Sequence, residues 1–192
     1  NLTNQDSDYT QSDHYVIGFQ HYLNPAASIS LEGFYKRYSD YPVSVLDEVS
    51  LANKGADFEV LGNEDVETVG KGRSYGLEFQ YQQKLLNNFY SIFSYTYFFS
   101  EFTGFDSTVY IPSVWDSRHL VSFVGGYKLK INWEISSRYR FAGKTPYVPT
   151  NLEATLVSYP EIILDYTRLG EEKLETFSQL DIRVDKKWNY NQ

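Results

Sequence analysis

Apolar and polar side chains alternate along about seven stretches of about nine to fourteen residues, and the links between stretches are short and long by turns. The cleanest stretch runs from Arg73 to Gln82. There Tyr75, Leu77, Phe79 and Tyr81 point one way, and Ser74, Gly76, Glu78, Gln80 and Gln82 the other. From Trp133 to Phe141, Trp133, Ile135, Tyr139 and Phe141 oppose Glu134, Ser136, Arg138 and Arg140. Further on, Leu180, Ile182, Val184 and Trp188 oppose Gln179, Asp181, Arg183 and Asp185. A period of two belongs to a β-strand with two chemically opposite faces.

The pattern predicts strands over 14–23, 28–38, 72–84, 89–102, 119–128, 133–141 and 177–188. Tight turns fall at Asn24-Pro25-Ala26-Ala27, at Leu86-Asn87-Asn88 and at 129–132; Pro ends a ladder and Asn opens a turn. The other links, 39–71, 103–117 and 142–176, are long. Alternating link lengths put every tight turn at one end of an antiparallel, up-and-down sheet. Long strands with tight turns at one end and long polar loops at the other fit an all-β transmembrane barrel of the bacterial outer membrane. The first strand then runs inward, toward the periplasm.

Composition narrows this reading. The chain has 18 Tyr and 13 Phe, and aromatic residues make up 18%. Mean hydropathy is −0.45, and no apolar run reaches the roughly 18 residues a transmembrane helix needs. A barrel strand needs only every second residue apolar. Tyr81, Phe89, Tyr127, Trp133 and Trp188 sit near the tight-turn ends; Tyr35, Tyr75, Tyr97, Phe99, Tyr139 and Phe141 sit near the loop ends. Rings at two levels match the two headgroup girdles of a barrel. A soluble β-sandwich binding module also alternates, and a small outer-membrane barrel serving as adhesin or lipid enzyme shares the strand pattern. Strand length, loop asymmetry and the two aromatic levels favour the membrane wall, with outer-membrane lipid as a partner.

The net charge of −8 argues against a nucleic-acid surface. It fits an acidic loop over 40–67. With no cysteine there is neither a disulfide nor a thiolate zinc site. His14, His21 and His119 have no metal-ligand spacing, and nothing in the sequence orients His119 toward Ser117 or Ser122. Neither an enzyme nor a cofactor-binding protein is expected. The chain contains no methionine, opens on a polar stretch over 1–12 and closes at 188–192 in what reads as another periplasmic turn. About seven strands do not make a finished barrel, because single-chain bacterial barrels have even strand numbers and an open edge invites aggregation. The whole span, 1–192, is therefore expected to be a partial β-barrel domain with further strands on both sides.

Several local motifs occur in a telling order: Gly72-Arg73-Ser74-Tyr75-Gly76-Leu77-Glu78, Ser94-Tyr95-Thr96-Tyr97, and the run from Ile111 to His119. They continue with Gly126-Tyr127-Lys128, Gly143-Lys144-Thr145-Pro146-Tyr147-Val148-Pro149 and the run from Leu180 to Trp188. In this order they resemble the C-terminal barrel region of TonB-dependent outer-membrane receptors, especially those of Bacteroidetes. The resemblance covers most of the chain, about 28–188. It implies a barrel of about 22 strands closed by a plug domain. It also implies a partner TonB complex, reached through an N-terminal region outside this chain. The function it implies is import of a scarce, bulky nutrient: a siderophore, cobalamin, a glycan or a peptide.

Trp115, Asp116, Arg118 and His119 form the densest polar and aromatic cluster, where a loop enters a strand. They are candidates for substrate contact at the extracellular mouth. The competing reading is a clasp in which Asp116 fastens the turn and pairs with Arg118 while Trp115 packs on the rim. Tyr147, in a segment stiffened by Pro146 and Pro149, is a further substrate candidate. Arg138 and Arg140 complete the candidate set on the lumen face. They can line an anion path, or pair across strands with Asp181 or Asp185 in a structural ladder that also meets the plug.

Overall fold

The computed structural model describes residues 4–5, 7–54 and 64–188. Parts of the expected segments 1–12, 40–67 and 188–192 lie outside the described residues. The strands are β1 (Gln11–Asn24), β2 (Ala27–Ser44), β3 (Val66–Leu86), β4 (Phe89–Phe102), β5 (Ile111–Pro112), β6 (His119–Lys128), β7 (Trp133–Ala142), β8 (Pro146–Tyr147), β9 (Glu172–Lys173) and β10 (Phe177–Lys186). Two short α-helices, α1 (Leu51–Lys54) and α2 (Leu152–Ser158), and a 3-10 turn at Tyr166–Arg168 lie in the long links among the described residues. The long strands lie side by side in the order β1-β2-β3-β4-β6-β7-β10, with β5 appended to β4. Every pairing is antiparallel. The long strands therefore form an up-and-down meander, and no helix falls inside any of the strands expected from the sequence.

Local chemistry explains the tight turns. Asn24 accepts a hydrogen bond at Oδ1 from Ala26 N (2.8 Å), closing the first turn beside Pro25. Asn87 and Asn88 both adopt positive φ, 50° and 68°, which is the backbone of a type I′ hairpin whose twist matches its strands.

The β2–β3 hairpin climbs further than expected. The sequence pattern places a long loop from 39 onward. Instead β2 continues to Ser44 and β3 begins at Val66, with register shifts between Tyr38 and Tyr41 and between Tyr41 and Val43. Bulges admit these residues: Asp40 takes φ of 54°, and the ladder resumes beyond it. The long link thus shortens to 45–65.

Residues directly opposite each other in an antiparallel ladder share a face. The register puts Tyr75 opposite Phe99, Leu77 opposite Tyr97, Phe79 opposite Tyr95 and Tyr81 opposite Phe93. The same face continues through Phe123 opposite Tyr139, Tyr127 opposite Ile135, and Tyr139 opposite Leu180. One apolar face therefore runs across the whole sheet, and all the outward positions expected from the alternation lie on it. The other face carries Glu32 opposite Glu78, Gln80 opposite Ser94, Ser122 opposite Arg140, and Arg138 opposite Asp181. Tyr90, Ile92, Phe98 and Val124 fall on this polar face, as their parity requires.

Neither face is covered by a second layer among the described residues. Ile17, Phe19, Leu180 and Ile182 are 80%, 64%, 62% and 69% exposed, whereas the buried apolar set is Ala27, Val43, Val49, Ala52 and Phe102. A soluble sandwich buries one face of each sheet against the other. Among the described residues the long strands form one sheet open on both faces, not the two stacked sheets of a sandwich.

The small buried core lies above the sheet. Val43, Val49 and Ala52 pack at the top of the β2–β3 hairpin, and the Lys54 ammonium reaches Asp47 (2.5 Å) and Glu64 (2.6 Å). From Ala27 to Arg37, at about 3.4 Å per residue and about 40° tilt, β2 rises about 26 Å, the height of a barrel's apolar band. Strands β2 and β3 therefore stand clear of that band at their loop ends.

The face assignment predicts the outcome of Ile182→Arg in the full-length protein. Placing a charge at mid-strand on the apolar side costs about 2–4 kcal/mol, so the variant should assemble poorly and lose heat-resistant electrophoretic migration. Gln179→Arg, on the opposite face of the same strand, should assemble normally.

Candidate functional site

The polar face of β7 and β10 is built by register. Arg138 and Asp181 are direct cross-strand partners, and Arg138 donates to Asp181 Oδ2 from Nη2 (2.8 Å) and Nε (3.0 Å). One step toward the loops, Arg140 Nη2 donates to Gln179 Oε1 (2.6 Å), and Gln179 Nε2 donates to Asp181 Oδ1 (3.1 Å). Toward the tight turns, Arg183 pairs with Asp185 (2.8 Å) and the Tyr90 hydroxyl donates to Glu134 (2.7 Å). Arg138 thus makes one of the expected cross-strand pairings, with Asp181, whereas Arg140 reaches Gln179 in place of a carboxylate. Their guanidinium groups remain partly open, with the Arg138 side chain 50% exposed.

The Trp115–His119 cluster separates into three environments. Asp116 is 2% exposed, takes Nε and Nη2 of Arg118 (both 3.1 Å), and accepts from Ser100 N at 3.4 Å. Burial pushes its carboxyl above the usual aspartate range, while the Arg118 charge and the Ser100 amide pull it back. Ser113 Oγ donates to Ser100 Oγ (2.9 Å) beneath it. Arg118 adopts φ of 63°, which turns its guanidinium over the Phe99 ring at 3.9 Å. Gly143 seals the clasp from β7. It donates its N–H to His119 O (2.8 Å), and a Cβ there would come within 2.2 Å of Ser117 O. Asp116 and Arg118 therefore form the clasp, and Trp115, 53% exposed, stands on the rim.

His119 departs from the expected mouth site. It lies opposite Tyr97 in the register, hence on the apolar face, with Nδ1 2.9 Å from the Tyr95 hydroxyl. Strand parity, which the sequence reading did not apply at the loop-to-strand junction, decides this. Neither Arg138 nor Arg140 shares that face.

Tyr147 sits in the β8–β9 ribbon above the sheet and donates its hydroxyl to Glu172, which also receives Arg168 Nη2. The hydrogen bond to Glu172 holds the tyrosine hydroxyl above its ordinary pKa, and the same bond lowers Glu172, assisted by Arg168. The loop site thus has a polar rim fixed by ion pairs.

The structure adds a cluster that the sequence reading missed. Tyr38, Tyr41 and Phe102 pack at the top of the polar face, with ring centroids 4.5 Å apart for Tyr41–Phe102 and 5.5 Å for Tyr38–Phe102; His14 meets Tyr38 edge-on at 6.4 Å. The available signal was parity, since Tyr38 and Phe102 are aromatic on the side otherwise assigned to polar residues. Among the described residues, no group of three or more His, Cys, Asp or Glu side chains is placed to hold a metal ion.

An antiparallel meander with one apolar face, one laddered polar face, tight turns at one end and structured loops at the other is the wall of an outer-membrane barrel. The family model "TonB dependent receptor-like, beta-barrel" matches residues 3–191, and the chain belongs to that family. That family places the chain in the bacterial outer membrane. A comparison with curated proteins finds no match.

Solved structures share the fold. The ferripyoverdine receptor of Pseudomonas aeruginosa, bound to ferripyoverdine, superposes with a TM-score of 0.62 at 18% identity, over 91% of this chain and 21% of that one. The pyoverdine receptor FpvA of Pseudomonas aeruginosa PAO1, bound to pyoverdine, gives 0.63 at 15% identity, over 96% and 24%. The complex of FpvAI with pyocin S2 gives 0.63 at 17% identity, over 91% and 21%. The chain therefore spans less than a quarter of each receptor's length.

Above the sheet, acid sensitivity should concentrate at Glu64. Burial raises its carboxyl, but hydrogen bonds from Lys54 and Ser44 outweigh this and leave it below the free-glutamate value. A lowered carboxylate stabilises the fold fully above its unfolded pKa and stops doing so as pH falls through its folded pKa. In the full-length protein, protease protection at the top of the β2–β3 hairpin should hold at about pH 6 and fall below about pH 4. Glu64→Gln should be less protected at about pH 6 and nearly flat across that range. An unchanged pH profile in the variant would refute the role of this bridge.

Proposed function

We propose that the chain is a section of the barrel wall of a TonB-dependent transporter that carries a scarce, bulky nutrient across the outer membrane. The observation that carries this reading is the continuous polar face, tied across β7 and β10 by the Arg138–Asp181 pair and the Arg140–Gln179 hydrogen bond, on a sheet whose other face is apolar. Such a wall borders a filled or solvated lumen. In this reading residues 1–192 are a partial barrel domain. The plug, the remaining strands and the segment that meets TonB belong to the rest of the protein.

Substrate contact is assigned to the rim and the upper lumen: Trp115 and Tyr147 above, Arg138 and Arg140 below. Asp116 and Arg118 hold the rim in place, and His119 serves the outer wall. The pyoverdine receptor's ferripyoverdine makes a ferric chelate the first substrate class to test, ahead of cobalamin, glycan and peptide.

Deletion of the full-length gene, with growth measured on limiting chelated iron, cobalamin and glycan in turn, tests the reading. A defect on one source is expected, restored by the wild-type gene and restored poorly by an Arg138→Glu/Arg140→Glu double variant that assembles normally. Unimpaired growth under every limitation would refute uptake.

A further inference from the structure

An apolar groove of about 560 Å³ opens on the outer face across β1–β4. Its floor is Gly33, and its walls are Ile17, Tyr35, Tyr75, Leu77 and Phe99. Gly33 lies opposite both Ile17 and Leu77 in the register, so its missing side chain leaves a gap between two aliphatic neighbours. A Cβ there would sit 3.4 Å from Leu77 and 3.8 Å from Ile17, so the gap has the width of one aliphatic chain. Stacked rings shape the upper wall: Tyr75 and Phe99 lie 4.8 Å apart with planes 6° from parallel, and Tyr35 lies 6.3 Å from Tyr75.

Charge meets the groove at one end only. Arg37 and Arg73 are direct partners one step beyond the Tyr35–Tyr75 row, on the same face, and Lys71 follows Arg73 by one more step. Arg73 is neutralised by Glu101 at 2.7 Å and stacks on Tyr110 at 4.2 Å. No ion pair involving Arg37 or the Lys71 ammonium occurs among the described residues. Asp13 lies opposite Arg37 in the register and forms no ion pair with it. Two cations and one carboxylate are therefore open at this level. It lies about 26 Å above the tight turns, where an apolar band of about 25 Å gives way to headgroups.

A strand added in plane at the free edge of β1 would lie beside this groove, not over it, and the face meets the bilayer. We propose that the groove holds an acyl chain of a phosphate-bearing lipid of the outer leaflet, with Arg37 and Lys71 receiving its phosphate. The aromatic rows pack the chain, and the two cations supply the preference for the phosphorylated headgroup. This site is independent of the transport reading.

The test uses the full-length protein in phosphatidylcholine nanodiscs doped with lipid A or with its dephosphorylated form, and counts retained lipid by native mass spectrometry. Wild type should retain one lipid A, about tenfold in preference to the dephosphorylated form. Arg37→Gln/Lys71→Gln should abolish the preference and still retain a chain. Gly33→Leu should lose both lipids; Leu77→Trp fills the same gap from β3 should the glycine variant assemble poorly. Inorganic phosphate should not displace the lipid. Retention unchanged in the groove-filling variants, equal retention of the two lipids by wild type, or displacement by phosphate would overturn the proposal.

Discussion

Inside a bilayer a backbone N–H or C=O has no water to bond, so a chain crossing it as strands must satisfy those groups strand to strand. That requirement governs this molecule. Each long strand from β2 to β7 is paired on both sides over the length of the apolar band, and the pairings are in register through that band. A slip of one residue anywhere would move a whole strand's apolar set to the lumen side. The two-faced wall, the charge ladder and the aromatic rows all follow from the same register. The edges of β1 and β10 that no strand of this sheet covers carry the same requirement outward.

Stability is distributed unusually. The wall has almost no buried core of its own, because its apolar face is solvated by lipid. Above it, the loop ends build a compact polar structure. The Asp116–Arg118 pair sits over Phe99, Ser113 and Ser100 hydrogen-bond beneath it, and the Lys54–Asp47–Glu64 bridges close the β2–β3 hairpin. These contacts fix the loop ends above the sheet. Tyr38, Tyr41 and Phe102 form an aromatic shelf just below those loop ends.

What was legible in the sequence was what periodicity encodes. Tyr75 to Tyr81 and Leu180 to Val184 disclosed their face directly, and the Arg138–Asp181 pair was one of the cross-strand pairings that matched parity left open. The loops were harder, because their order comes from single contacts with no period. Residues from 39 onward read as loop, yet bulges at Asp40 and Pro42 carry the ladder on to Ser44 and the hairpin grows taller. His119 read as a mouth residue by proximity to Trp115, but one residue of parity separates the lumen from the lipid. The groove at Gly33 was invisible for a different reason. A missing side chain becomes a site only when Ile17 and Leu77 are known to flank it from neighbouring strands.

The most direct test of the account is solvent exposure read residue by residue along β3. The chain contains no cysteine, so single cysteines from Ser74 to Gln82 in the full-length protein, against a background free of other reactive cysteines, can each carry a spin label. Accessibility to dissolved oxygen, which partitions into lipid, should peak at 75, 77, 79 and 81. At the alternate positions the labels should lose that peak. Uniform accessibility, or a peak at 76, 78 and 80, would contradict the assignment of this sheet's two faces.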